Sequence, residues 1–163
     1  RVGQILAIPV HVSGVTGRNV LRSTSVERRL VNGVRGSLKN TDDEWTFWKK
    51  NDSIAVTIDV GARKRLGKVS LGYLNHFGLG IHKPQKVEVW LSDNDVHYWK
   101  ATEQTFGTDE IFAEGRFTEE MEFVFKDVAR YVRVIMKGAG KCPEHHVRPG
   151  LEAQIYLDEV LIE

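Results

Sequence analysis

Ile54-Ala55-Val56-Thr57-Ile58-Asp59-Val60-Gly61 is the stretch on which the fold is decided. Its larger apolar residues fall on alternate positions, with smaller or polar residues between them. A period of two puts each set on one face of an extended chain, so the stretch reads as a half-buried strand, and Gly61 ends it. The rhythm returns in Lys68-Val69-Ser70-Leu71-Gly72-Tyr73. It returns again in Val87, Val89 and Leu91, with Glu88 and Trp90 on the other face, and in Met121, Phe123 and Phe125. Tyr131 to Met136 is broken only by Arg133, and Ile155 to Ile162 only by Asp158 and Glu159. Both are expected to be central strands covered on two faces. Tyr98 to Phe106 is a further strand carrying Trp99. Ile5 to Val12 is another, which Pro9 places at an edge or a bulge.

Turn signals separate these runs: Asn32-Gly33, Asn51-Asp52, Asp93-Asn94-Asp95, Gly138 to Gly140, and Pro149-Gly150. No amphipathic helix longer than a turn or two is legible. Eight or nine short strands joined by loops predict an all-β protein, an antiparallel β-sandwich. Without internal repeat, low-complexity tract or linker, residues 1–163 read as a single domain.

Bulk properties agree. A chain of 163 residues should bury roughly two-thirds of its unfolded surface, enough for a core without staples. Hydrophobic residues make up 41% and charged residues 28%, with a net charge of +1 and no basic block. That argues against nucleic acid or an anionic membrane as the main partner. The single cysteine, Cys142, rules out an intrachain disulfide. No apolar run approaches the roughly 20 residues of a membrane helix. The chain opens Arg-Val-Gly-Gln, without Met or a signal pattern. It is expected to be part of a longer protein whose export signal lies elsewhere.

Three stretches resemble the factor V/VIII type C (discoidin-like, galactose-binding-like) family. Val56-Thr57-Ile58-Asp59-Val60-Gly61 followed by Val69-Ser70-Leu71 is similar to the family's strand ending in Asp-Leu-Gly and the strand after it. Pro84 to Asp93 (PQKVEVWLSD) resembles its strand that ends in Ser-Asp-Asp-Gly. Ala129-Arg130-Tyr131-Val132-Arg133-Val134 resembles its Ala-Arg-Tyr-Val-Arg-Ile strand. The resemblance runs from about Leu30 to the C-terminus and implies a jelly-roll sandwich. A narrower likeness rests on Leu30 to Ser37 (LVNGVRGS), Trp45 to Trp48, Leu71 to Leu74, Cys142-Pro143 with His146, and Leu157 to Val160. These are similar to the C-terminal domain of bacterial family 20 β-hexosaminidases (chitobiases). What this implies is a non-catalytic carbohydrate-binding module of a larger secreted glycoside hydrolase, located in the periplasm or at the cell surface. The alternative is a structural or protein-interaction domain that packs against the parent enzyme and binds no sugar.

The resemblance also implies two sites. In the wider family a structural calcium ion sits where an Asp-Gly loop meets the last strand, and the matching residues are Asn32, Ser37 and Glu159. Calcium takes six to eight oxygen ligands, and Asn32 stands where the family has Asp, so one charge is lost. The other reading makes Asn32-Gly33 a tight turn and Glu159 a strand residue. The second site is for a glycan of N-acetylhexosamine or galactose type. Sugars are held by aromatic faces and by planar polar groups on their hydroxyls. Loops 75–82 and 141–152 offer Asn75, His76, Phe77, His82, His146 and Arg148, with His145 beside them. Each loop follows a strand read as running the same way, so the two should meet at one end of the sandwich. In the hexosaminidase-linked domains Trp is expected at the positions of Gly80, His145 and Gln154, and this chain has none there. Trp45 matches a Trp that packs beneath the loops, and Trp48 is expected in the same cluster.

Catalysis finds no constellation. Asp42-Asp43-Glu44 are neighbours on one loop and cannot face each other across a glycosidic bond. Cys142-Pro143-Glu144-His145-His146 offers only half of a structural zinc site, which needs four ligands. Cys142 is expected to be a small buried thiol.

Overall fold

The computed structural model describes residues 11–16, for the backbone alone, and residues 35–41, 45–48 and 53–163. The expected strand segment 5–10, the turns at Asn32-Gly33 and Asn51-Asp52, and Asp42-Asp43-Glu44 lie outside the described residues. Among the described residues there are seven strands: β1 (His11–Thr16), β2 (Thr46–Trp48), β3 (Ile54–His76), β4 (Lys86–Ser92), β5 (Tyr98–Thr105), β6 (Arg116–Lys137) and β7 (Ile155–Ile162). A short helix, α1 (Thr108–Ile111), and a 3-10 turn, Phe77–Leu79, accompany them among the described residues. All strand pairs are antiparallel, in the order β2-β7-β3-β6-β4-β5, with β1 on β3.

The 23-residue β3 and the 22-residue β6 each contain two of the runs that the sequence presents as separate strands. They form one long ribbon, pairing from Ile54↔Met136 to His76↔Arg116. Its register slips between Asp59 and Lys64 and again between Leu66 and Lys68, and there the ribbon folds over on itself. Gly61 supplies the bend, at φ +93 with its N–H donated to Asp59 Oδ1 (2.8 Å). The first half of β3 and the second half of β6 join β1, β4 and β5 in one layer. The other halves join β7 and β2 in the second layer.

The space between the layers is the core. Val56, Ile58, Val69, Leu71, Val87, Val89, Val132, Val134 and Ile155 all lie buried in one cluster. Burying each such side chain contributes about 1.5–3 kcal/mol. Strand β7, wedged between β2 and β3, is buried at every position, as its apolar run predicts. The Tyr131–Met136 run differs. It is central, between β3 and β4, yet it alternates buried and half-buried positions, so only one of its faces is fully covered. Trp45 packs with Leu74, Ile81 and Tyr156 in a second, smaller cluster, whereas Trp48 belongs to the main core. β1 reaches Thr16, four residues past the expected end at Val12.

Candidate functional site

Folding the ribbon brings residues 68–76 and 131–137 to the same end of the sandwich, running the same way in opposite layers. The loops that follow them therefore meet. After His76 the chain makes the 3-10 turn, and Gly80, at φ +69, closes it with its N–H on the Phe77 carbonyl (3.1 Å). Ile81 then pairs back with His76. The far end of the second loop is stitched to this one: the His82 N–H donates to Gln154 O (2.9 Å) and the Gln154 N–H to Gly80 O (2.9 Å). Arg148 Nε donates to Gly78 O (2.6 Å) across the gap. The second loop closes on itself through Cys142 N–H to Leu151 O (2.7 Å) and Gly150 N–H to Cys142 O (3.0 Å).

Beneath this surface runs a buried polar chain. Asn75 Nδ2 donates to the carbonyls of Ala113 and Gly115 (3.0 and 3.1 Å), so Asn75 Oδ1 is left as an acceptor. It lies 3.0 Å from His82 Nδ1. His82 Nε2 lies 3.0 Å from His146 Nε2, and His146 Nδ1 accepts the Arg148 N–H (2.9 Å). Asn75, His82 and His146 are 1%, 1% and 3% exposed. Phe77 lies against His146 (centroids 4.0 Å apart), and Phe112 meets His82 edge-on (5.1 Å). Burial, then the neighbouring His146, hold the His82 pKa down at about 4. His146 is lowered by burial, then by His145 and Arg148; His76 is lowered by burial, then chiefly by Arg116.

The sequence-derived sugar site is thus brought together but divided into two levels. Asn75, His82 and His146 were expected as surface groups for sugar hydroxyls. The structure corrects this: all three are interior and hydrogen-bonded to protein, so they support the loops rather than face solvent. Phe77 and His76 are half-buried at the surface, and Arg148 and His145 are exposed. The segment 107–115, whose carbonyls anchor Asn75, has no counterpart in the sequence reading. Its flanking glycines, Gly107 and Gly115, are the one local signal that could have marked a loop there. At Gly80, where the resemblance leads one to expect Trp, the backbone is left-handed (φ +69), which disfavours any side chain, and a Cβ would come within 2.8 Å of Leu151 Cδ2.

His82, His146 and Cys142 place their ring nitrogens and sulfur within 4.8 Å of one another. The Arg148 N–H on Nδ1 of His146 forces that ring's proton onto Nε2, where it fills the space between the two rings. Burial raises the Cys142 pKa and keeps it a thiol. Within the trio, His82 and His146 are hydrogen-bonded to each other.

Of the cation-site residues, Asn32 lies outside the described residues. Ser37 is exposed; its hydroxyl accepts the Lys39 N–H (3.2 Å) and its carbonyl accepts Trp45 Nε1 (2.9 Å). Glu159 is 1% exposed on β7. The adjoining Asp158 receives the Gly36 N–H (2.9 Å) and pairs with Arg35 (3.5 Å), which also pairs with Glu120. An open cleft of about 310 Å³ lies here, lined by Arg35, Gly36, Thr118, Glu119, Glu120 and Asp158. Glu119 and Glu120 are successive strand residues, so their side chains leave on opposite faces. Glu119 accepts the Tyr73 hydroxyl, while Glu120 meets Arg35.

No protein-family model and no curated protein sequence matches the chain. Solved structures do. The C-terminal domain of a chitobiase from Bacteroides fragilis is 16% identical, with a TM-score of 0.53 over 94% of this chain and 92% of that one. A chitosan-binding module of a Paenibacillus chitosanase/glucanase is 15% identical, with a TM-score of 0.57 over 92% and 93%. A Clostridium perfringens CBM32 module in complex with GalNAc-β-1,3-galactose is 14% identical, with a TM-score of 0.55 over 91% and 93%. The fold of this chain is therefore the discoidin-like, galactose-binding-type β-sandwich that these modules share.

Proposed function

We propose that the chain is a non-catalytic carbohydrate-binding accessory module of a larger secreted glycoside hydrolase, β-hexosaminidase-like, that binds an N-acetylhexosamine or galactose-type sugar at the loop end. The observation that carries this reading is the convergence of loops 75–82 and 141–152, which present Phe77, His76 and Arg148 side by side at one end. The names of the similar modules, one chitosan-binding and one in complex with GalNAc-β-1,3-galactose, support it. Tethering such a module raises the local concentration of its parent enzyme on the glycan. The surface is shallow, so affinity should lie in roughly the high-micromolar to millimolar range.

NMR titration with N-acetylglucosamine, N-acetylgalactosamine and galactose tests the reading. Amides of residues 76–80 and 144–148 should shift, and those of residues 61–67 should not. Phe77→Ala should weaken the response more than Trp90→Ala. If saturating sugar moves no resonance, the chain is a domain that packs against its parent enzyme. The burial of Asn75, His82 and His146 favours that second reading, because it removes three polar groups from the surface.

Calcium at Asn32, Ser37 and Glu159 belongs to the same proposal. The midpoint of thermal unfolding should rise with millimolar-scale calcium, and Glu159→Gln should abolish the rise. Identical melts in chelator and in calcium would dismiss the ion.

A further inference from the structure

The His82–His146 pair admits one arrangement of protons. Asn75 Oδ1 can only accept and the Arg148 N–H can only donate. His82 therefore carries its proton on Nδ1 and His146 on Nε2, and the His146 proton bridges the 3.0 Å between the rings. Three segments are held by this chain: the end of β3 through Asn75, residues 107–115 through the Ala113 and Gly115 carbonyls, and loop 141–152 through His146.

We propose that this chain is an acid-sensitive latch, which ties loop 141–152 to the other two segments while both rings are neutral and loosens when either ring takes up a proton. The reason is geometric. A second proton on His82 must go to Nε2, where it meets the N–H of His146 head-on. A second proton on His146 must go to Nδ1, where it meets the Arg148 N–H at 2.9 Å. Either way one hydrogen bond is lost: the one between the rings or, where that is kept, the Arg148 N–H to His146 Nδ1 that shapes loop 141–152; no rearrangement of protons keeps both.

The surroundings act mostly against charge. On the same loop, His145 and Arg148 oppose protonation of His146, and Cys142 is held as a thiol. At the ends of β3 and β6 stand His76 and Arg116, of which Arg116 disfavours charge on His76. The rings of Phe77 and Phe112 exclude water from both imidazoles. Only the Ile111 carbonyl of α1 favours a charged His82. The latch works whether or not the surface above it binds sugar.

Two measurements on the 163-residue chain test it. Long-range ¹H–¹⁵N spectra at neutral pH should show His82 as the Nδ1–H tautomer and His146 as the Nε2–H tautomer. The opposite tautomers, or a charged ring, would overturn the proposal. Amide hydrogen exchange, corrected for intrinsic rates, should then speed up by about tenfold or more in residues 141–152 between pH 6.5 and 4.5, with residues 61–67 unchanged. His82→Phe should remove the acid step. Exchange that does not change, that rises equally at both ends, or that keeps its acid step in His82→Phe would each overturn the latch. Should that variant fail to fold, the tautomers and the exchange of the unaltered chain still decide.

Discussion

The two ends of the sandwich are fastened by different chemistry. At the loop end, Asn75, His82 and His146 are neutral, buried and satisfied by one another and by backbone. At the other end the ribbon folds over, and the fastenings are backbone bonds and exposed charges. Gly67 and Lys68 donate to the Glu163 carbonyl (2.6 and 3.0 Å) and Glu163 N–H donates back to Lys68 (2.9 Å). Arg130 forks onto Asp59 (2.9 Å for both bonds) and Arg63 pairs with Asp93 (3.1 Å). A buried neutral network answers to protons and to deletion of any member, because an orphaned buried group bears its full desolvation cost. An exposed ion pair answers to salt, and weakly.

Asn75→Ala is the sharpest way to break this contrast. It strands the Ala113 carbonyl and the His82 Nδ1–H at once, while the Gly115 carbonyl keeps only the Phe77 N–H (3.1 Å). Destabilisation of about 2–4 kcal/mol is expected in urea unfolding. A change below about 1 kcal/mol would mean that water readily takes over the amide's place, and that the loop end is not the more tightly held of the two.

Acid should come next. The unfolded chain binds a proton at His82 near pH 6.5, whereas the folded chain resists until about 4. Between these values the unfolded state holds more protons, so stability falls as pH drops from 6.5 to about 4 and is flat for this group below that. The shift corresponds to at most about 3 kcal/mol. Asp158 works in the opposite sense: burial raises its carboxyl, so protonating it relieves a cost. Comparing pH profiles of the unaltered chain and His82→Phe isolates the histidine contribution. Superimposable profiles would show that the pair does not govern acid stability.

The contrast also explains what could be read from sequence. Period-two runs placed Val56, Ile58, Val69, Leu71, Val87 and Val89 in the core, because burial on a strand is a local rhythm; Leu66 and Ile111, in the same core, belong to no such run. Nothing local joined Val60 to Lys68, or Phe125 to Tyr131, into single folded-over strands; that continuity depends on a bend whose register slips are a tertiary event. The meeting of loops 75–82 and 141–152 was legible from strand direction. Which of their residues would face inward was not. A histidine that stacks on a sugar and a histidine that accepts a backbone N–H have the same one-letter code, and the anchoring carbonyls of Ala113 and Gly115 carry no side-chain signal at all. His82 and His146, 64 residues apart, become partners only through the fold.

The smallest expected effect is at the fold-over end. Arg63 and Asp93 have side chains 65% and 45% exposed, so water competes for both and salt screens what remains. Arg63→Ala should change stability by no more than about 0.5 kcal/mol. The bend itself should be unaffected, since Gly61 and the Lys68–Glu163 backbone bonds set it without this pair. Raising the ionic strength should abolish even that difference, while leaving the cost of Asn75→Ala intact, because the buried network contains no charge to screen. The measurement is a pair of urea titrations at low and at molar salt for each variant. If Arg63→Ala proved as costly as Asn75→Ala, or if salt reduced both alike, the division between a neutral, proton-sensitive end and a charged, salt-sensitive end would fail.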